Sequence, residues 1–507
     1  MLFNSINFLV FFSVFYLIYT RVNLKIQNWL LLFGGIVFYS FWNYKMTFLL
    51  LFCIYFNFVA GIQLVKNQDA IKRKRILLFT IALNLGILFI FKYTVFVIQS
   101  FNDISRLANG SLKLSVIDII LPIGISFYTF HNISYIYDVY KEKIKPTHNL
   151  LTYAVYDLFF PLLLSGPIER AERLIPQIEK ERDITKEKFQ SGLILVIWGI
   201  FKKVFVSDNL APFVNMALYP NESIPKGLVY FVAAAFAFQV YADFSGYTDA
   251  ARGMARMIGF ELSLNFNLPL FKATNPSEFW KRWHISLSTW LRDYVYIPLG
   301  GNRYGIFYQN MNLMIVWILG GLWHGATYGY LIWGIYCGLQ VVIYNVYAEN
   351  KNKFFSVSPP KFLIGGLKKI RFPIRDFGND KLDSLSNLSL YSNPFTQSLT
   401  TAISIFITFM LFGLGLLLFR VENPTHLMRL MDNMGGIYLN WVLIGKFIFY
   451  ISPIIILDSL QVWHKDLEYF SSSKIHPALA YGIMTVFAIQ FCLFSVFESK
   501  EFFYFQF

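Results

Sequence analysis

The stretch 311-MNLMIVWILGGLWHGATYGYLIWGIYCGLQVV-342 decides how the chain is read. It contains no Asp, Glu, Lys or Arg, is rich in Trp, Leu, Ile and Gly, and holds one group able to exchange protons near neutrality, His324. Its length suits two apolar helices around a glycine-rich break, and about 20 apolar residues suffice to cross ~30 Å of hydrocarbon. An ionisable side chain in such a medium is costly and needs a reason.

The medium extends over the whole chain. Of 507 residues, 56% are hydrophobic, 19% aromatic and only 15% charged, and the mean hydropathy is +0.49, outside the balance of soluble proteins. These values predict an all-α, polytopic integral membrane protein. Apolar runs recur at 6–20, 28–42, 47–65, 76–99, 117–138, 150–165, 190–206, 228–243, 306–323, 327–347, 397–419, 441–459 and 479–496. Some are re-entrant or interfacial, so the expectation is about 11–13 membrane segments. The net charge of +14 is assigned to cytoplasmic loops rather than to nucleic acid. The basic cluster Lys66, Lys72, Arg73, Lys74 and Arg75 places the loop after the third run in the cytoplasm and the N-terminus outside. The first run lacks a basic leader and a small-residue cleavage site and is read as a span. Cys53, Cys337 and Cys492 lie far apart in apolar runs, which points to neither disulfides nor a thiolate metal site.

Three stretches depart from simple spans. The run 150–170, broken by Pro161 and Pro167, is expected to form a re-entrant hairpin, with a kinked span as the alternative. Residues 169–188 alternate acids and bases like a solvated helix or loop. Residues 349–395 form a long polar insertion, expected in the cytoplasm, between a core at 1–348 and a three-span extension at 396–507.

The segment 274-TNPSEFWKRWHISLSTWLRDYVYIPLGGNRYG-305 is the most unusual. Ser277 is placed to cap a helix starting at Glu278. Phe279, Trp283, Leu287, Trp290, Leu291 and Tyr294 recur at three- and four-residue steps and give one apolar face. Lys281, Arg282, Ser286, Ser288 and Thr289 line the other side, the pattern of a helix lying at a membrane surface. His284 falls at the edge of the apolar face, one turn from Trp280 and Ser288, and Pro298 with Gly300 and Gly301 turns the chain toward the span carrying His324.

For His324 the packing reading is an imidazole bonded to a neighbouring helix's carbonyl, and the functional reading is a site or pathway. Gly320, Gly321 and Gly325 allow either close packing or the approach of a long substrate. Away from water an imidazole stays neutral and accepts protons. No G-x-S-x-G, H-E-x-x-H, Walker A or paired-Cys motif accompanies it. A general base that activates an incoming hydroxyl for acyl transfer is the simplest use. A proton relay in a polysaccharide or lipid transporter is the competitor.

The blocks FWKRWHISLSTWLRDYVYIPLGGNR (279–303) and GGLWHGATYGYLIWG (320–334) resemble the two signature blocks of the membrane-bound O-acyltransferase family, and within it the alginate O-acetylation group. Further likeness is carried by LPIGISFYTFHNISYIYDVY (121–140), LLLSGPIER (162–170), GIFKKVFVSDNLA (199–211), QVYADFSGYTDAARG (239–253) and FFYFQF (502–507). The resemblance implies helices around a central tunnel, with His324 as the family's invariant histidine and His284 as its second. It implies an acyl thioester donor such as acetyl-CoA on the cytoplasmic side, no bound cofactor and no metal. It further implies location in the cell (inner, cytoplasmic) membrane, an exported polysaccharide as indirect acceptor, and an extracytoplasmic hydrolase-like acetyltransferase as partner. Trp280, Trp283, Ser288, Arg292, Asp293 and Trp323 become candidates for the tunnel wall, with Arg292 and Asp293 paired at its mouth. Asp243 and Asp249 read as helix-terminal caps where a span meets the cytoplasm. The segment LLLSGPIER departs from a group variant with Gln or Ala before Gly-Pro, and is read as variation. D-alanyl transfer to teichoic acid is the alternative inside the family.

Overall fold

The computed structural model describes residues 1–164, 166–218, 225–355, 394–421, 424–436, 438–464 and 477–495. Helices dominate these residues, and no strand forms among them. In chain order they are α1 (Ile6–Tyr19), α2 (Leu24–Ser40), α3 (Tyr44–Lys66), α4 (Ala70–Lys92), α5 (Thr94–Leu107), α6 (Ile125–Tyr140), α7 (Leu150–Asp157), α8 (Ala171–Glu179), α9 (Lys186–Phe201), α10 (Asp208–Leu218) and α11 (Leu228–Met257). There follow α12 (Pro276–Arg282), α13 (Ile285–Leu291), α14 (Ile306–His324), α15 (Tyr328–Phe355), α16 (Pro394–Leu417), α17 (Pro424–Asp432), α18 (Trp441–Trp463) and α19 (Pro477–Phe494). Among the described residues, seven helical stretches are long and apolar enough to cross a membrane. Residues 356–393 of the insertion at 349–395 lie outside the described residues, while 349–355 continue α15 and 394–395 open α16; the aromatic ending 502–507 lies outside them entirely.

Several expected spans take a different form. The run 76–99 divides at Tyr93: α4 stops at Lys92, and α5 follows with no buried residue. The run 117–138 is helical only from Ile125, because Pro122 lacks a backbone donor and Gly124 adopts φ 72°. The run 150–165 holds only the eight-residue α7, followed by buried non-helical backbone from Leu158 to Leu164. That arrangement is not a continuous helical crossing, and burial within the protein makes its non-helical backbone tolerable. The 169–188 segment is less solvated than its charges imply, since Leu174, Ile178 and Glu169 are fully buried and α8 turns one apolar side inward. Cys53 and Cys337 are buried, whereas Cys492 is exposed.

The central element is α11, 30 residues long, rather than a span ending at 243. It lies against α9 through glycine on glycine. A Cβ on Gly199 would stand 2.3 Å from the Gly246 carbonyl oxygen, and one on Gly253 would stand 2.4 Å from that of Gly192. Small residues permit this approach, in which packing rather than hydrophobic transfer holds helices together in lipid.

Asp243 and Asp249 are correspondingly not caps. Both sit inside α11 and face the π-helical segment Lys202–Ser207 that follows α9. Lys203 bridges Asp243 at 2.7 Å and Asp208 at 3.0 Å, and Lys202 meets Asp249 at 2.6 Å. The wide π turn carries two adjacent lysines toward one neighbour. Tyr241 adds a bond to Asp458 of α18 at 3.0 Å, so the C-terminal helices are tied to the core.

Replacing Gly199 by Leu should destabilise the fold by about 1–3 kcal/mol or more, because backbone and not a movable side chain occupies the space. Thermal unfolding of the detergent-purified protein reads this directly, and an unchanged midpoint would refute the close contact.

Candidate functional site

The segment expected to be one surface helix is two short helices with His284 between them. Asn275, not Ser277, caps α12, its side chain accepting from the Glu278 N–H at 2.8 Å. The Glu278 carboxylate accepts from the backbone and hydroxyl of Thr274, both at 2.9 Å, and from Arg282 at 2.6 Å. Burial pushes its pKa up, but these bonds and the guanidinium outweigh burial and hold it below the usual range. Trp283 is extended, and His284 is left-handed at φ 44° and ψ 54°, so the chain changes direction there before α13 begins. Phe279, Trp283, Leu287, Trp290 and Leu291 are buried inside the protein, and lipid does not cover that face.

Backbone bonds set the break. The Ile285 N–H donates to the Asn265 carbonyl at 3.0 Å, and the Ser286 hydroxyl donates to the Asn265 side chain at 2.6 Å. Ser286 in turn accepts from the Ile168 N–H at 3.0 Å, which brings the non-helical segment 166–170 against α13. A non-glycine residue in the left-handed region is disfavoured by roughly 1–2 kcal/mol, and this scaffold holds it there.

His324 is the last residue of α14. The two residues at the α4–α5 junction grip the carbonyls just before it. The Tyr93 hydroxyl donates to the Leu322 carbonyl at 2.8 Å, and the Lys92 ammonium donates to that of Trp323. A helix C-terminus leaves carbonyls without intrahelical donors, and here two neighbouring side chains supply them. Around the imidazole stand Trp323, Trp333 and Phe419, with ring centres at 5.0, 5.1 and 5.4 Å. The His284 ring lies 6.4 Å away, a separation suited to one small group held between two imidazoles. Both histidines are buried, at 5% and 2% exposure.

Two cavities meet at His324. The first, about 560 Å³, is lined by the starts of α1 and α6 and the ends of α2 and α4, with Lys92, Ser126 and Trp323 beside the histidine. Because α1 has 14 residues, it rises only about 21 Å, less than ~30 Å of hydrocarbon. The second, about 410 Å³, runs along α14 between α12 and α13. Trp280, Trp283, His284, Ser288 and Arg292 line it together with His324. Of the candidate wall residues, only Asp293 lines neither cavity. It pairs with Arg292 at 2.8 Å, as expected, and also with Arg170 at 3.4 Å. Among the described residues, no group of three His, Cys, Asp or Glu gathers that could hold a metal ion.

Reading the sequence missed Lys92, placed in an apolar run without comment, although the criterion that singled out His324 applies equally to it. Phe412 and Phe419, from the C-terminal part, were missed as well; they pack on Phe279 and on His324. Single aromatic residues in a span carry no distinguishing signal.

The fold and the site together define an all-helical membrane protein with a buried histidine bordering two cavities. Residues 33–366 match the model of the membrane-bound O-acyltransferase family, and the chain belongs to that family of O-acyltransferases. It is 41% identical over 350 residues to a probable alginate O-acetylase of Pseudomonas aeruginosa, covering 68% of this chain and 66% of that relative. It is 35% identical over 368 residues to the peptidoglycan O-acetyltransferase of Helicobacter pylori, covering 67% of this chain and 68% of that relative. A teichoic acid D-alanyltransferase of Bacillus subtilis is 30% identical over 251 residues, covering 46% and 61%.

The left-handed backbone at 284 separates two effects of substitution. His284→Gly and His284→Ala both remove the imidazole, but only alanine keeps the backbone cost, so the glycine variant should be more stable by about 1 kcal/mol. Equal unfolding midpoints for the two variants would count against the left-handed conformation.

Proposed function

We propose that this chain is an O-acetyltransferase that takes an acetyl group from a cytoplasmic thioester and passes it to an acceptor on the opposite face of the membrane. One observation carries the reading: His324 borders both cavities, so a donor and an acceptor approaching from different sides can meet at one imidazole. The second cavity suits the donor, its apolar wall of Trp280, Trp283 and Trp317 taking an acyl-thioester arm and Lys281 and Arg292 meeting anionic phosphate. Acetyl-CoA or an acyl-carrier protein fits that description. The first cavity suits the acceptor. The basic cluster at 66–75, most of it in the first turns of α4, supports this orientation: with that end of α4 toward the cytoplasm, the far end, Lys92, lies at the first cavity.

In the proposed step, His324 takes the proton of the acceptor hydroxyl as its oxygen attacks the thioester carbonyl carbon. The C–S bond then breaks, and the leaving thiolate receives that proton. His284, facing the same space, stabilises the transient oxyanion or orients the thioester. The acetyl group continues to an exported polysaccharide, a step shared with a separate extracytoplasmic hydrolase-like transferase, in the cell's cytoplasmic membrane. The core at 1–348 carries the reaction in this reading, and the 396–507 part braces it through Phe419. Alanylation of teichoic acid has weaker support, since likeness to the D-alanyltransferase covers less than half of this chain.

Removing a general base costs about 10²–10⁴ in rate. His324→Ala should therefore lower acetyl transfer from labelled acetyl-CoA by that factor in proteoliposomes, with insertion intact; transfer within a few-fold of the unaltered protein would overturn the assignment. His284→Ala should retain a measurable fraction of the rate, and a loss equal to that of His324→Ala would make His284 the base or its equal partner.

A further inference from the structure

The basic cluster at the start of α4 does not stand alone. Arg73 donates to the Glu142 carboxylate at 2.7 Å and to the Tyr140 carbonyl at 3.1 Å, and so ties the first turns of α4 to the end of α6. The Tyr140 ring lies 5.7 Å from the Arg73 guanidinium and 5.9 Å from the Lys141 ammonium, which brings cations of two helices to one ring. Lys66 closes α3, which packs against both of these helices. Segments 66–75 and 138–145 therefore bring eight cations and three carboxylates to one corner. The carboxylates are already engaged: Asp69 caps α4, Glu142 holds Arg73, and Asp138 holds Lys143 at 3.1 Å and accepts from the Tyr294 hydroxyl at 2.6 Å. Lys66, Lys72, Lys74, Arg75, Lys141 and Lys145 are exposed, and none has an ion-pair partner among the described residues. Like charges gathered this closely repel one another, and an anion laid across them relieves that cost.

The surface next to the cations narrows the kind of anion. Helix α4 is a candidate span of 23 residues, a rise of about 34 Å against ~30 Å of hydrocarbon, so its first turns stand at headgroup depth. Ile71, Arg75, Leu78, Leu85 and Phe89 recur at three-, four- and seven-residue steps on one face of α4, and all are exposed. Phe79, two turns beyond Lys72, is 63% exposed. The cations thus continue directly into an apolar face. A soluble acidic partner would use the charges and leave that face unused, whereas an anionic amphiphile uses both. A charge bias that only orients the chain asks for cations near span ends; it does not ask that they gather at one ring above one apolar stripe.

We propose that the corner formed by the end of α3, the start of α4 and the end of α6 binds an anionic phospholipid, with its phosphate among Lys72, Lys74, Arg75 and Lys141 and its acyl chains along the Leu78 and Phe89 face of α4. Arg73, held by Glu142 and the Tyr140 carbonyl, positions the two helix ends and leaves the remaining cations to the lipid. Acyl transfer plays no part in this site.

The test uses the full chain purified in a neutral detergent and titrated with short-chain phosphatidylglycerol, phosphatidylcholine of the same chain length, and glycerol phosphate, with bound molecules counted by native mass spectrometry. Phosphatidylglycerol should bind about tenfold or more tighter than the other two, since one lacks net charge and the other lacks chains. Each cation near an anionic headgroup is worth roughly fivefold in affinity. Lys72→Gln, Lys74→Gln and Arg75→Gln combined should therefore weaken phosphatidylglycerol by about tenfold or more, to the level of phosphatidylcholine. Lys25→Gln, Lys180→Gln and Lys186→Gln combined remove the same charge from exposed positions outside the corner and should change its binding by less than about twofold. Should the α4 triple variant fail to fold, Lys141→Gln with Lys145→Gln tests the α6 side of the same corner, with a loss of about fivefold or more expected. Equal losses in the two triple variants would reduce the effect to overall charge. Phosphatidylcholine binding as tightly as phosphatidylglycerol, glycerol phosphate doing so without chains, or an acidic carrier protein displacing the lipid at lower concentration would each likewise overturn the lipid site.

Discussion

Helix α14 ends inside the protein, so its last carbonyls cannot turn to bulk water and need donors from neighbouring helices. Tyr93 and Lys92 provide them from the junction of α4 and α5. Much else follows from this bond pair. It anchors α14 against α4 and fixes the height at which the helix stops, and the residue at that stop is His324. The chain departs from helical geometry immediately afterwards, with Gly325 extended. Without a buried terminus the histidine would lie along a continuous helix wall, facing one side only. With it, the imidazole stands at an end and meets space from two directions.

Buried charge is handled in two ways within the same fold. Between α9, α11 and α18, lysines and aspartates lie together on adjacent helices, where breaking one partner would leave the other exposed to the full cost of burial. Those groups hold helices in register. Lys92 is satisfied by a carbonyl and a hydroxyl instead. Sequence alone does not separate the two situations, because each is a Lys inside an apolar run; only the neighbouring helix tells them apart.

The fold class was legible because lipid imposes a strong compositional rule, and runs of apolar residues located nearly every long helix. What composition cannot report is where a run stops being helical. The α4–α5 division at Tyr93 and the single turnings at Gly124 and His284 arise from backbone geometry and from partners distant in sequence. Periodicity across 279–294 extended an apolar face through the break, since buried aromatic residues continue on both sides of it. The same limit applies to α11: Asp243 and Asp249 looked terminal because charge marks the edge of lipid, yet lysines on the adjoining segment accommodate them mid-helix. The two histidines were found because each is polar in an apolar setting, whereas Phe419 touches His324 from far along the chain and has no such mark.

A passage reached from both faces of a membrane carries a hazard that a soluble active site does not. A continuous water column would let protons and ions run down their gradients, where each elementary charge gives up about 2.3 kcal/mol per 100 mV. In this protein His324 borders both cavities and is packed among Trp323, Trp333 and Phe419. Under the proposed transfer those rings act as electrical insulation, and the histidine has to be reachable from both sides while never leaving the seal open.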